Sequence, residues 1–356
     1  MSGTAVKRQA APGVRVGRVS FVWRPWMVLA VLLLAAAAFL VFCLSIGTGD
    51  FPIALPQVIA TIFGRGEQID EFVIMDLRMP RALVGLIVGV ALGVSGAITQ
   101  SIARNPLASP DVLGITSGAS AAAVFLVTAS GGAATAVTAS LGLSAGALAG
   151  GLGTGLLVYL MAWRRGIDGF RLILIGISVS AVMEAITVWL LTRADIRDVA
   201  KAQAWLVGSL DERSWSEVWT ALWCLLALLA VVAYAAFHLK PMHFGDEIAA
   251  GLGVRYGVVR AVLLLCAVLL AGVAVSAAGP VPFVALVAPQ AAMRLTRHPT
   301  PPMAASGLVG ALLLIGSDLV ARTALPVSLP VGVVTAAIGG PFLVYLLVRA
   351  NLRKGI

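Results

Sequence analysis

Arg78-Met79-Pro80-Arg81 opens the stretch that decides the fold, and Arg104-Asn105-Pro106-Leu107-Ala108-Ser109-Pro110-Asp111-Val112-Leu113-Gly114-Ile115 closes it. Between them, residues 82–103 carry no charge. At ~1.5 Å per residue such a run crosses a hydrocarbon core of ~30 Å as a helix. Gly85, Gly89 and Gly93 fall on one face, where missing side chains let a neighbouring helix backbone approach. The stretch therefore predicts an interior membrane helix. Pro106 stops it, because its ring clashes with the preceding turn and drives Asn105 out of the helical region. Ser109 then reads as an N-cap, with Pro110 at the first helical position and Asp111 complementing the helix dipole.

Composition extends this to the whole chain. The 356 residues are 60% hydrophobic and only 12% charged, with a mean hydropathy of +1.00, against about a quarter charged in soluble domains. A polytopic membrane protein is predicted. The net charge of +9 comes from basic residues scattered at the ends of apolar runs, which fits membrane topology and not nucleic-acid binding. Cys43, Cys224 and Cys266 lie inside apolar runs without metal-ligand spacing, so they read as small buried hydrophobes.

Residues 1–25 form a basic tail without apolar period. The apolar run that follows, 26–46, is too long for a cleaved signal sequence and reads as a retained first span. Residues 47–77 are polar and acidic. With 82–103 as the second span, further spans are expected at 111–130, 138–162, 170–192, 215–237, 257–277, 281–296, 303–321 and 330–350. These ten place both termini on one side. Boundaries on that side hold 17 of the 25 Lys and Arg residues, and the opposite side holds eight with ten acids. The positive-inside rule makes the first side cytoplasmic. Pro280, Pro282 and Pro289 interrupt one span and Gly339-Gly340-Pro341 another. Broken backbone at membrane depth survives only where protein or a water-filled cavity satisfies it. Gly142, Gly146 and Gly150 predict a second tightly packed helix.

The Arg78–Gly114 motifs resemble the signature of the FecCD permease family. So do Gly279-Pro280-Val281-Pro282-Phe283 through Pro289, Asp318-Leu319-Val320-Ala321-Arg322, and Leu329-Pro330-Val331-Gly332 through Gly340-Pro341-Phe342. Members are membrane subunits of ABC importers for ferric siderophores, haem and cobalamin, and the chain is most similar in feel to enterobactin-like siderophore permeases. The resemblance implies an all-α, ten-helix type II importer permease (residues 26–356) in the bacterial inner membrane. It also implies a separate ATPase dimer using ATP and Mg, a second identical or homologous permease, and a periplasmic or lipid-anchored binding protein. Gln290 stands where the family more often has His, and Pro-Gln occurs among siderophore permeases. Met293 replaces the usual arginine, with Arg294 one position further.

Several constellations carry the functional expectations. In segment 240–256 the residues Gly245, Asp246, Glu247, Ala249, Ala250, Leu252 and Gly253 form a helix candidate too short to span, with acids in its first turn. It reads as a solvated loop or, as the resemblance implies, the element that couples to the ATPase. Asp318 and Arg322 are four apart on one helical face, which suits an internal ion pair. The resemblance gives Arg322, with Arg78 and Arg81, a second role, because matching arginines of the cobalamin permease receive glutamates of the binding protein. Glu184 is an intramembrane carboxylate and so a functional candidate by default. Its alternative is a group satisfied by Ser180 or Thr187. With Gln100, Asn105 and Gln290 it makes up the candidate substrate pathway. His238, His243 and His298 fall in cytoplasmic loops, so no metal site or histidine relay is expected within the spans.

Two function classes follow. An importer permease must borrow its energy source, because none of the four lysines follows a phosphate-loop glycine pattern. An ion-coupled secondary transporter would instead use Glu184 and Asp318 and need no ATPase. An intramembrane enzyme lacks the necessary His or metal-ligand set.

Overall fold

The computed structural model describes residues 13–16, 19–22, 24–49, 51, 53–129, 142–162, 169–237, 256–324 and 328–352. The coupling segment 240–256 lies outside them, apart from its last residue, Tyr256. Within the N-terminal tail, β1 (Gly13–Val16) pairs antiparallel with β2 (Val19–Val22), in the register Gly13↔Val22 to Val16↔Val19. The valines that alternate through these residues favour an extended ribbon, so the tail carries an element its basic composition did not announce.

The other regular elements among the described residues are helices. The long helices are α1 (Pro25–Gly47), α4 (Met79–Ala103), α6 (Leu143–Ala162), α7 (Gly169–Arg193), α9 (Trp215–Phe237), α10 (Tyr256–Ala278), α12 (Met303–Thr323) and α13 (Val331–Leu352). These eight are long and apolar enough to cross a membrane. The other two expected spans are shorter: α5 (Ile115–Ala129) has 15 residues and α11 (Val284–Thr296) has 13. Short helices α2 (Leu55–Ile62), α3 (Gln68–Glu71) and α8 (Ile196–Leu206) join the spans.

The second span is longer than its uncharged run suggested. Helical structure starts at Gln68, continues through the wide π-type turns of Phe72–Arg78, and passes into α4 at Met79. Pro80 sits in the first turn of α4, directly after the wide π-type turns. The end is as expected: Arg104 turns left-handed at φ 49° and Pro106 follows. Ser109 has the extended backbone of an N-cap but makes no side-chain capping bond. Pro110–Leu113 is a single 3-10 turn, and Gly114 at φ 78° restarts the chain as α5. A Cβ on Gly114 would lie 3.1 Å from Thr154 and 3.4 Å from Ser180. These residues sit near the middles of α6 and α7, so α5 begins deep in the bundle.

The glycine face of α4 meets α12. A Cβ on Gly89 would come within 2.5 Å of the Gly310 carbonyl and 2.6 Å of Ala311 Cα, and Gly310 is equally close to Gly89. Two backbones thus touch with no side chain between, and Val84, Val88, Ala91 and Leu314 fill the flanks. Gly146 and Gly150 pack α6 on α5, against Leu126, Ala122 and the Gly118 backbone.

The proline-broken stretch lies inside the bundle, with backbone hydrogen bonds anchoring both of its edges. Ser209 N–H donates to Ala278 O at 2.9 Å, Gly332 N–H to Gly208 O at 3.3 Å, and Val287 N–H to Phe283 O at 2.8 Å. Phe283 is left-handed at φ 67° and covers Gly339 of α13. A closed backbone here frees the neighbouring side chains to line open space.

Candidate functional site

That open space is a cavity of about 960 Å³, bounded by α5, α7, the end of α8, the 280–283 break and the start of α13. On α7, Ser180, Glu184, Thr187, Val188 and Leu191 line it, a helical spacing that puts them on one face. On the restart of α5 the lining residues are Thr116, Ser117 and Ser120, with Asp111 just before. Phe283, Leu286 and Val333 complete an apolar side.

The Glu184 carboxylate is exposed to this space. Its two expected partners are not partners. Thr187 Oγ1 donates to Met183 O at 2.9 Å, and the buried Ser180 Oγ has no hydrogen-bond partner among the described residues. Asp111 accepts from Thr116 Oγ1 at 2.5 Å. The lining holds two carboxylates, six hydroxyl side chains and Gln203, and none of the described lining residues is basic.

The other pathway candidates lie elsewhere. Gln100 and Gln290 are buried and bonded to each other: Gln290 Nε2 donates to Gln100 Oε1 at 2.7 Å, and Gln100 Nε2 to Leu286 O at 3.1 Å. They tie α4 to α11. Gln290 also borders a smaller cleft of about 410 Å³ with Arg294, His298 and Arg349. Asn105 Oδ1 accepts the Leu107 N–H at 2.9 Å and shapes the turn after α4.

At the Arg78 end the structure gathers the three arginines, with their donors pointing inward. Arg78 reaches Ile46 O at 2.8 Å and Phe51 O at 2.7 Å. Arg81 grips Asp318 through Nη2 at 2.7 Å and Nε at 3.1 Å, while Nη1 pairs with Asp211. Arg322 bonds Asp318 at 3.2 Å, Ser45 O at 3.0 Å and Thr48 O at 3.2 Å. Asp318 is 2% exposed in its side chain, Arg81 18% and Arg322 15%. This charged knot ties α1, α4 and α12 to the loop between α8 and α9. Asp211 lies in that loop and is 55% exposed. Burial raises its carboxyl, but the Ser209 hydroxyl and the guanidiniums of Arg81 and Arg213 prevail and hold it below the usual carboxylate range.

Sequence reasoning missed Asp211 as the partner of Arg81, since no local spacing links residues 130 apart. It also missed the hydroxyls of α5 and α7 as cavity lining. Their signal was the recurrence of polar residues at 180, 184 and 187 within an apolar span. Among the described residues, no three of the His, Cys, Asp and Glu side chains gather as a metal site.

Comparison with known proteins agrees with the geometry. Residues 23–349 match the FecCD transport family. The ferric enterobactin transport system permease protein FepG of Escherichia coli is 37% identical over 92% of this chain and 98% of its own. The iron(3+)-hydroxamate import system permease protein FhuG of Bacillus subtilis is also 37% identical, again over 92% and 98%. A metal-chelate type ABC transporter solved in an inward-facing conformation superposes with a TM-score of 0.78, at 25% identity, over 90% of this chain and 98% of that one.

Proposed function

The chain belongs to the FecCD transport family, and on that premise we propose that it is the permease subunit of an ABC importer that carries ferric siderophores or related iron chelates across the membrane. The observation that carries this reading is the cavity: a half-open, carboxylate-bearing space of about 960 Å³, walled mainly by apolar surface, on an apolar helical bundle. It is at the upper end of small-molecule sites, ~300–1,000 Å³. Polar groups in a span are costly and persist where they face a pathway. The chain does no chemistry on its cargo.

A loaded binding protein docks at the Arg78 end, with Arg78, Arg81 and Arg322 setting register. A separate ATPase dimer uses ATP and Mg at the other end, coupled through the segment that holds Gly245, Asp246, Glu247, Ala249, Ala250, Leu252 and Gly253. A second permease, identical or homologous, faces the exposed apolar residues beside the cavity, such as Trp189 and Ile338. Both termini lie in the cytoplasm, on the side that carries most of the basic residues. Alternating access then opens the cavity first toward the docked protein and next toward the ATPase.

Reconstitution tests this. Vesicles that hold the full chain with its ATPase and binding protein should accumulate ferric chelate only with hydrolysable ATP. Accumulation driven by an ion gradient without ATPase would replace this reading with a secondary transporter.

A further inference from the structure

We propose that the cavity selects ferric chelates by charge, taking cationic and neutral trihydroxamate-type complexes over anionic tris-catecholates, and that Glu184 is the residue that sets this preference. The inference rests on the importer reading and deepens it, by naming the cargo class of the same cavity. Relatives at equal identity do not decide the class, since one is named for ferric enterobactin and another for iron(3+)-hydroxamate, each at 37%.

The local chemistry does decide it. No lysine, arginine or histidine is among the described lining residues, while Glu184 and Asp111 both are. Asp111 is engaged by Thr116. Glu184 makes no hydrogen bond or ion pair with any described residue, and it faces open space. The arginines that could have neutralised an acid at the Arg78 end are committed to Asp318, Asp211 and backbone carbonyls. A carboxylate with no basic residue in the described lining repels negative charge on a cargo and attracts positive charge, and low-dielectric walls on one side strengthen this relative to bulk water.

Ferric chelates differ in this property. Three catecholates over-neutralise the ferric ion and leave a multiply charged anion. Three hydroxamates just neutralise it, and an amine on the ligand backbone makes the complex cationic. The rest of the lining suits the second kind. Ser120 brings to this wall a hydroxyl that can donate to hydroxamate and amide oxygens, whereas the Ser117 hydroxyl already donates to Gly114 O at 3.1 Å and the Ser180 Oγ is buried without a partner among the described residues. Phe283, Leu286 and Val333 opposite meet the aliphatic linkers between them.

The test is equilibrium retention of three iron-55 chelates by the purified full chain in nanodiscs: a cationic ferric trihydroxamate, a neutral one and an anionic ferric tris-catecholate. The chain should retain the cationic and neutral chelates and largely exclude the anion. Glu184→Gln should weaken the cationic chelate by about 3-fold or more and leave the neutral one nearly unchanged. Glu184→Lys should shift the cation-to-anion ratio by at least ~10-fold toward the anion. Melting of both variants at the wild-type temperature separates charge selection from misfolding. Three other results overturn the proposal: preferential retention of the anion, loss of all three chelates by the same factor in the variants, or retention that ignores Glu184. Because this readout needs no ATPase, it can fail while ATP-driven uptake succeeds, and the reverse.

Discussion

Two of the carboxylates within the spans of this chain, Asp318 and Glu184, live in opposite surroundings. Asp318 is almost fully buried and held by two arginines from different helices. Glu184 stands in a cavity with no partner among the described residues. In a low-dielectric interior a lone charge is expensive, so an acid is either paired or placed where water and cargo can reach it. The first arrangement holds helices together. The second leaves charge free for something that passes by. Residue type could not tell the two apart; the neighbours do.

Breaking the knot should have the largest effect. Asp318→Ala leaves Arg81 and Arg322 half-buried and facing each other, which costs about 3–5 kcal/mol when one partner of a buried pair is removed. Folded yield and melting temperature in detergent should both drop sharply. Unchanged melting would mean that the arginines turn outward without cost, so that docking is their whole role and the knot holds nothing together. Next comes the contact that makes the knot feasible. Gly89→Leu forces α4 away from the Gly310 backbone, and overpacking of this kind costs about 1–3 kcal/mol. The variant should melt lower, and an unchanged melt would place this face toward lipid.

The exposed edge of the knot should matter less. Asp211→Asn removes a partly solvated partner of Arg81, worth about 0.2–1 kcal/mol. Its folded pKa lies below the ordinary value near ~3.9. The stabilisation is therefore fully present above that value and disappears as pH falls through the folded pKa. Wild type and variant should differ in melting at pH 6 and converge in acid. A difference that grows on acidification would contradict the pairing. Smallest of all, Glu184→Gln should shift stability by less than about 0.5 kcal/mol, since no described contact is lost. A large destabilisation would mean that Glu184 is structural after all.

Much of this was legible in the sequence, for local reasons. The uncharged run before Pro106, the glycine face and the prolines at 280 and 282 each act within one or two helical turns, and the helices formed where those signals put them. What depends on distant partners was not legible. Glu184 and Ser180 looked like neighbours on one helix, four apart, yet nothing in the spacing says that both turn into a cavity rather than toward each other. Gln100 and Gln290 looked like pathway polarity, but residues 190 apart in sequence satisfy one another across α4 and α11. Ser109 had the residue type of a cap, and the adjacent 3-10 turn took its backbone without its hydroxyl. The start of the second span was missed because Phe72–Arg78 mixes Asp76 and Arg78 into an apolar pattern that still winds helically.

The most direct measurement asks whether cargo passes the face that carries Glu184. Cys43 and Cys266 are buried and Cys224 is exposed, so Cys224→Ser gives a background quiet to water-soluble thiol reagents. Val188→Cys in that background places one thiol in the cavity wall, one turn from Glu184. A bulky charged maleimide should label it and stop ATP-driven uptake of ferric chelate, and excess ferric chelate should slow the labelling. Full labelling with undiminished uptake would show that cargo crosses elsewhere, and would contradict the account.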